Sequence, residues 1–469
     1  MGLVKIIKFS DFSLDPKMGI KDYSLLYIKN GISIKSLLIN ESIEYSIKSG
    51  RTPSKFNEDY WNGEHDFFTM QDIDTDIYVL NDVSIEQITD YAIKNEKTLY
   101  LAPKNSLVIS NAMTIGLAFI AQREIYINQN VFHLNIDEKK VNKIFLKWYF
   151  NLIIRPKFLK VFASKYFSKN EFGRLKIPNI SLNIQNNIVD KIKLLEDEIK
   201  NLKSKKQEHL EIINEVFSNY FDIDLKEIKK LEDIKQFNLP LISVTSKNST
   251  LRASYKWHKL ETIQSYIYKD IDCIYKLDKF IINMNNGWSP ESSEIEEGTA
   301  ILGQEHIQKD GKISLNASKF TTKTKNNIEN FYIKQNDFFV SRGNTIDLVA
   351  LASVVIDEVE EDILYPDLYI RVDFDKNFVN KEYMASLFNS FIGRIYFKHV
   401  AKGKNQTMVK VSSKELYDFY LPLPSLDIQE QIVKDIKNKI EEQDNIDKEI
   451  EKKQLEISGL IEDVIRECK

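Results

Sequence analysis

Apolar residues recur at spacings of four and three along one stretch of the chain: Ile188, Ile192, Leu195, Ile199 and Leu202. Positions so spaced share one face of a helix, so the pattern predicts a helix with a heptad seam. The seam runs on through Lys206 and His209 to Ile213, Val216 and Tyr220, with polar interruptions in its middle. A second helix is predicted from about 428 to 465. Ile432 and Ile436 stand in its first turns, Ile446, Ile450, Ile457, Leu460 and Val464 continue its stripe, and Gln443 and Lys453 interrupt it. Pro178 and Pro422/Pro424 precede the two helices and neither contains an internal proline, as helix starts require. Each predicted helix would span ~50 Å at ~1.5 Å per residue. Two such seams in one chain are natural partners, and globular ends at opposite poles would make the pair antiparallel. Elsewhere the pattern shortens to β-rich runs (Asn105 to Ser110, Asp337 to Ser341, Leu368 to Phe374) broken by Gly, Pro, Asn and Asp.

The chain is written twice. Ile177-Pro178-Asn179-Ile180-Ser181-Leu182-Asn183-Ile184-Gln185 and the residues to Val189 recur as Leu421-Pro422-Leu423-Pro424-Ser425-Leu426-Asp427-Ile428-Gln429 and the residues to Val433, 244 positions later. Upstream, Asn105 to Ser110 with Thr114-Ile115 corresponds to Asn336 to Ser341 with Thr345-Ile346 at an offset of 231. Gly50-Arg51-Thr52-Pro53 corresponds to Gly287-Trp288-Ser289-Pro290 at 237. Conserved order with a drifting offset is what a duplication with loop insertions leaves. The expected fold is therefore mixed α/β (α+β): two similar globular domains, 1–182 and 233–424, and two helical spacer segments, 183–232 and 425–469, forming an antiparallel two-helix coiled coil with pseudo-two-fold symmetry.

Composition narrows the chemistry. Of 469 residues, 65 are Lys or Arg and 69 Asp or Glu, a net charge of −4. The acidity is concentrated in the helices: residues 183–230 hold 9 basic and 10 acidic side chains, and 425–469 hold 8 and 13. The rest of the chain is slightly basic. Two cysteines, Cys273 and Cys468, allow neither a disulfide framework nor a Cys-based zinc site. The most apolar short run, Met113 to Ala121, is far below the ~20 residues of a membrane span. Met1-Gly2-Leu3-Val4-Lys5 lacks a signal-peptide core, so no membrane partner is expected and a cytoplasmic location is. There is no GxxxxGK[ST] loop, no Pro-Pro dipeptide, no strand followed by GxGxxG and no His-x-x-x-His pair. The chain is read as non-catalytic, with no metal and no cofactor of its own.

Basic residues cluster shortly before each helix: Lys165, Lys169, Arg174 and Lys176 in one half, Lys398, Lys402, Lys404 and Lys410 in the other. Lys319, Lys323 and Lys325 form a third group among Thr and Asn, and Arg342 lies in the run after Asp337. Such residue types hold phosphates and read base edges. A solvated surface is the better explanation of any single cluster, and the recurrence before both helices shifts the reading toward function. Arg51, Thr52 and Ser54, in the Gly-x-Thr-Pro turn, complete the candidate DNA-binding set.

These features resemble the specificity (S) subunit of type I restriction-modification systems, over nearly the whole chain. The elements that carry the resemblance are Gly50 to Pro53, Phe67 to Ile73, Leu107 to Gly116 and Ile177 to Val189, then Gly287 to Pro290, Ile301 to Ile307, Asp337 to Ile346 and Leu421 to Val433. The chain departs from the pattern at Asp347, where the first half has Gly116, and at Trp288. The resemblance implies a non-enzymatic reader of double-stranded DNA. It implies two target-recognition domains, each taking one half of a bipartite, asymmetric sequence, and a coiled coil that docks two modification methyltransferase subunits. S-adenosylmethionine, ATP and magnesium would then be bound by those subunits and by restriction/translocase subunits. The alternative is a coiled-coil scaffold whose duplicated globular ends never touch DNA.

Overall fold

A computed structural model of the chain describes residues 31–40, 42–112, 114–157, 168–236, 255–405 and 408–467. Lys165 lies outside the described residues. The chain divides into two compact units, one of residues 1–205 with 446–469 and one of residues 206–445.

The first unit is built on a six-stranded sheet in the order Ile47–Lys48, Val131–Leu134, Ser106–Ser110, Ala118–Ala121, Val79–Leu80, Ile73–Asp74. Ser106–Ser110 is buried at every position, as are Ala118–Ala121 and Val131–Leu134. That is why these runs read as continuous hydrophobic segments rather than alternating ones. A second sheet, Glu86–Ile88, Trp61–Phe67, Ile125–Ile127, Tyr100–Ala102, is more exposed. In the second unit the corresponding strands form a four-stranded sheet ordered Ile281–Asn286, Tyr369–Phe374, Phe338–Ser341, Ala352–Val354. Two three-stranded sheets join it: Lys319–Thr321 with Thr299–Ile301 and Ile363–Leu364, and Gly343–Asn344 with Met408–Lys410 and Lys402–Asn405.

The duplication reappears in atomic detail. Asn105 and Asn336 both take left-handed backbones, at φ 64° and 66°, a conformation that asparagine tolerates better than most residues. Asn142 and Asn380 each cap a helix, accepting hydrogen bonds from Ile144 and Phe145 and from Glu382 and Tyr383. Their own backbone N–H groups donate to Gln185 (2.9 Å) and Gln429 (2.8 Å). Those glutamines, both buried, donate in turn to the carbonyls of Ile180 and Pro424. The glutamine repeated in the two helix lead-ins is thus a buried clip between each long helix and its domain.

The expected first long helix is two helices, α1 (Leu182–Ser204) and α2 (His209–Phe221). The break falls at Lys205 to Glu208, where four consecutive polar residues offer the seam nothing to bury. There the Gln207 N–H donates to the side chain of Gln443 (2.8 Å) in place of a helical carbonyl. The second helix, α3 (Leu426–Glu467), is continuous. Where the sequence suggests helices standing apart as a spacer, the described packing divides them between the units. In the first unit, Ile188, Ile192 and Ile199 share one core with Ile450 and Ile457, and Leu195, Leu202, Ile446, Leu460 and Val464 pack against it. That core also contains sheet and helix residues such as Phe132 and Phe145. In the second unit, Ile213, Ile432 and Ile436 are buried with Tyr383 and Phe388. Within that unit Tyr220 donates to Asp435 (2.6 Å), Lys439 meets Glu215 (2.7 Å) and His209 lies 3.7 Å from Asp444, so α2 runs antiparallel to the start of α3. In the first unit Lys453 pairs with Glu198 at 2.6 Å.

Candidate nucleic-acid interface

The two Gly-x-[Thr/Ser]-Pro turns are made by lack of space. A Cβ on Gly50 would stand 2.0 Å from the carbonyl oxygen of Ile127, and one on Gly287 2.2 Å from that of Pro366. Only glycine permits so close a backbone approach. The next polar residue clasps the facing turn. Thr52 donates through its N–H and its hydroxyl to Gln129, both at 3.1 Å. Ser289 donates to the Asp367 carboxylate at 2.5 Å and accepts from the Asp367 N–H at 3.0 Å. Gln129 and Asp367, 238 residues apart, are the partners that sequence reasoning missed, although their offset lies one residue from that of the glycines. The clasp leaves Arg51 and Ser54 exposed, and the Ser54 carbonyl accepts from the Trp61 indole at 3.0 Å.

In the second unit the separate basic groups of the sequence come together around this turn. Arg342 donates to the Asp367 carbonyl at 3.4 Å, and its backbone is pinned on both sides by Leu368 and Val411. Gly343 and Asn344 pair with Lys410 and Val409, and Lys410 pairs in turn with Lys402. Arg342, Lys410 and Lys402 therefore share one small antiparallel ribbon, to which the backbone of Lys404 also belongs. Lys325 lies over Phe331 (3.5 Å) and over Trp288 (4.9 Å), so it borders the Gly287–Pro290 turn, and Lys323 reaches Glu291 at 3.4 Å. Lys402 is already engaged: it holds Glu415 at 2.6 Å. Burial of Glu415 opposes its charge, but the hydrogen bonds from Lys402 and Ser412 prevail and keep its pKa below the ordinary carboxylate value. Lys398 does not join the group. It sits on the helix Phe391–Val400, 3.7 Å from Asp347, beside a cleft lined by Leu225, Ile228 and Arg394.

The first unit differs. Ser168 with Glu171 and Ser412 with Glu415 form matching capping boxes, 244 residues apart. Measured from them, Lys169 and Arg174 lie within the short helix after the box, whereas Lys402, Lys404 and Lys410 lie before it. The two basic clusters are thus not equivalent position by position, as their distance from the long helices had suggested. Lys169 is half-buried; burial, then the neighbouring Lys48 ammonium, lowers its pKa, with Glu44 opposing. Arg174 is exposed. Lys48, on the strand Ile47–Lys48 two residues before Gly50, is a basic neighbour that the sequence did not single out. The position matching Arg342 is Asn111. Its N–H donates to Asn130 as that of Arg342 does to Leu368, but its side chain is buried and has no hydrogen-bond partner among the described residues.

Among the described residues no three His, Cys, Asp or Glu gather as a metal site would need, and no helix is long and apolar enough to cross a membrane. The arrangement can hold phosphates through exposed Lys and Arg mounted on rigid turns and a ribbon.

Residues 39–212 match the family described as type I restriction modification DNA specificity domain. The specificity subunit of the type I restriction enzyme MjaIX from Methanocaldococcus jannaschii is 29% identical over 191 residues, 40% of this chain and 43% of that protein. The chain thus matches less than half the length of this curated relative. Among solved structures, the type I restriction-modification S subunit from M. genitalium is similar over 92% of this chain and 95% of its own, with 15% identity and a TM-score of 0.41. A chain from a structure on complex assembly and conformational transition of the type I R-M system covers 94% of this chain and 98% of its own, with 10% identity and a TM-score of 0.46.

Proposed function

We propose, from the match of residues 39–212 to the type I restriction modification DNA specificity domain, that the whole chain is a specificity subunit that reads a bipartite, asymmetric DNA target, one half per unit. The observation that carries this reading is the assembly in the second unit, where the Gly287–Pro290 turn, Arg342 and the Lys402–Lys410 ribbon converge on a framework repeated in the first unit. Half-buried Arg342 on its pinned backbone and exposed Lys410 beside it suit phosphate contacts that set the register of a protein on the duplex. The units differ at the corresponding positions, Asn111 against Arg342 and Arg51 against Trp288, so the two half-sites should differ as well.

In this reading the chain is not itself an enzyme. Two methyltransferase subunits dock on α1 and α3 and bring S-adenosylmethionine, while restriction/translocase subunits bring ATP and magnesium chemistry. The complex works in the cytoplasm on chromosomal and invading DNA. The test is to map methylated adenines across the genome with and without this gene. A two-part motif that disappears on deletion supports the reading, and an unchanged methylome sinks it. A gel shift of the purified chain with its methyltransferase partner, on DNA holding the mapped motif, gives the matching test in solution.

A further inference from the structure

Six buried side-chain nitrogen and oxygen atoms have no hydrogen-bond partner among the described residues, and two of them belong to Asn111. The orphaned arginine nitrogens differ in kind, because each guanidinium is held through its other groups. Arg371 donates to the carbonyls of Asn330 and Tyr332, Arg394 to that of Asp347, and Arg155 bonds the Tyr78 hydroxyl. Asn111, 1% exposed, leaves both the donor and the acceptor of its side chain unused. A buried amide in that state weakens the fold, since each group has given up its bonds to water without replacement. Native structures hold few such groups, and each calls for a reason.

The place of Asn111 supplies one. It follows the strand Ser106–Ser110, and its N–H donates to the Asn130 carbonyl at 2.9 Å. Gln129, the chain neighbour of Asn130, is the residue that clasps Thr52. In the second unit the same connections place Arg342: its N–H donates to Leu368, next to the Asp367 that clasps Ser289. Both residues open a loop that closes on the preceding serine. The Gly116 N–H donates to the Ser110 carbonyl at 2.9 Å, and the Ala350 N–H to that of Ser341 at 2.8 Å. Around Asn111, Ala112, Thr114 and Asn130 are half-exposed and Gln129 is exposed, so its amide lies just behind the surface of the reading turn. The loop backbone is held without it. The Ser110 hydroxyl (2.8 Å) and the Thr114 N–H (2.7 Å) both donate to the Ala112 carbonyl. The amide can therefore turn about its own side-chain bonds while the backbone stays in place.

A carboxamide presents one acceptor beside one donor. That is the complement of the N6 amino group and N7 of adenine in the major groove, whereas guanine shows two acceptors there. We propose that Asn111 is a specificity-determining residue of the first unit: it turns outward to an adenine of that unit's half-site, and the base satisfies the pair of groups that the free fold leaves bare. This deepens the reading under Proposed function and rests on it.

The test uses the full chain with its methyltransferase partner and the variants Asn111→Ala and Asn111→Leu, the second close in shape to the amide. A structural role and a reading role make opposite demands on stability. In urea titrations at least one variant should unfold at the wild-type midpoint or above it, because the substitution removes groups that the fold leaves unpaired. On duplexes carrying the mapped motif, each variant should lose about tenfold or more of the preference for one A·T pair in one half-site. The other half-site, and binding to unrelated duplexes, should not change. A midpoint lowered in both variants overturns the proposal whatever the DNA result, because the amide then serves the fold. So does a motif kept intact at every position in either variant, or a loss spread over both half-sites. Should the wild-type complex specify no two-part motif, the reading under Proposed function falls, and this proposal with it.

Discussion

The side-chain amide of Asn389 brackets the backbone of Ala352: it accepts from the Ala352 N–H and donates to the Ala352 carbonyl, both at 2.8 Å. Asn151 does the same to Ala118 in the other unit, at 3.1 and 2.6 Å. In each unit a helix is thus bolted to a buried strand. Asn389→Ala leaves a buried donor and acceptor unsatisfied and should cost about 2–6 kcal/mol at roughly 1–3 per group, less any relief from water entry. Urea titration of the full chain measures it. A change under about 0.5 kcal/mol would refute the structural weight given to this pair.

Acid should weaken the first unit through His133. Burial lowers its pKa from 6.5 to about 4, and its Nδ1 lies 2.8 Å from the Tyr100 hydroxyl. The folded state disfavours the protonated ring, so the unfolded chain binds the extra proton first. The neutral ring's full stability is present above about pH 6.5 and is lost as pH falls from there toward 4, by up to about 3 kcal/mol. Urea midpoints at pH 7, 5.5 and 4 should fall more steeply in the wild type than in His133→Gln. Parallel slopes would count against the assignment.

Lys410 tests the proposed DNA face more cleanly than Lys402. Removing Lys402 also releases Glu415, whose hydrogen bonds cap the turn that follows. Lys410 is exposed and forms no ion pair among the described residues. Lys410→Ala should weaken binding about equally on specific and non-specific duplexes and flatten the dependence of log affinity on log salt by about 0.9. An unchanged slope in fluorescence anisotropy would remove Lys410 from the interface.

Gly287→Ala should disable one reader alone. The added Cβ would collide with the carbonyls of Tyr365 and Pro366, at 2.3 and 2.2 Å, and push the turn off its clasp with Asp367. The methylated motif should then relax or vanish in one half while the other half stays specified. Loss of both halves, with the variant folded, would argue against independent readers.

Some of this is settled by sequence alone. The glycine turns, the Asn-led strands and the glutamine of the helix lead-in repeat in order, and each proves to be a local backbone device: a close approach, a left-handed residue, a buried clip. Such devices depend on one residue type at one place, so they leave a legible mark. The seam residues were equally legible, because burial of an apolar stripe depends on spacing alone. What needed the tertiary structure was partnership. The seam could not reveal that Gln443 would interrupt it by taking the Gln207 N–H, or that sheet residues would share the core with the helices. Nor could charge counts separate Lys398, held near Asp347, from Lys410 on the ribbon. Whether a charge is spent on the fold or left for a ligand depends on what lies within a few ångströms of it, and chain folding alone creates those neighbours.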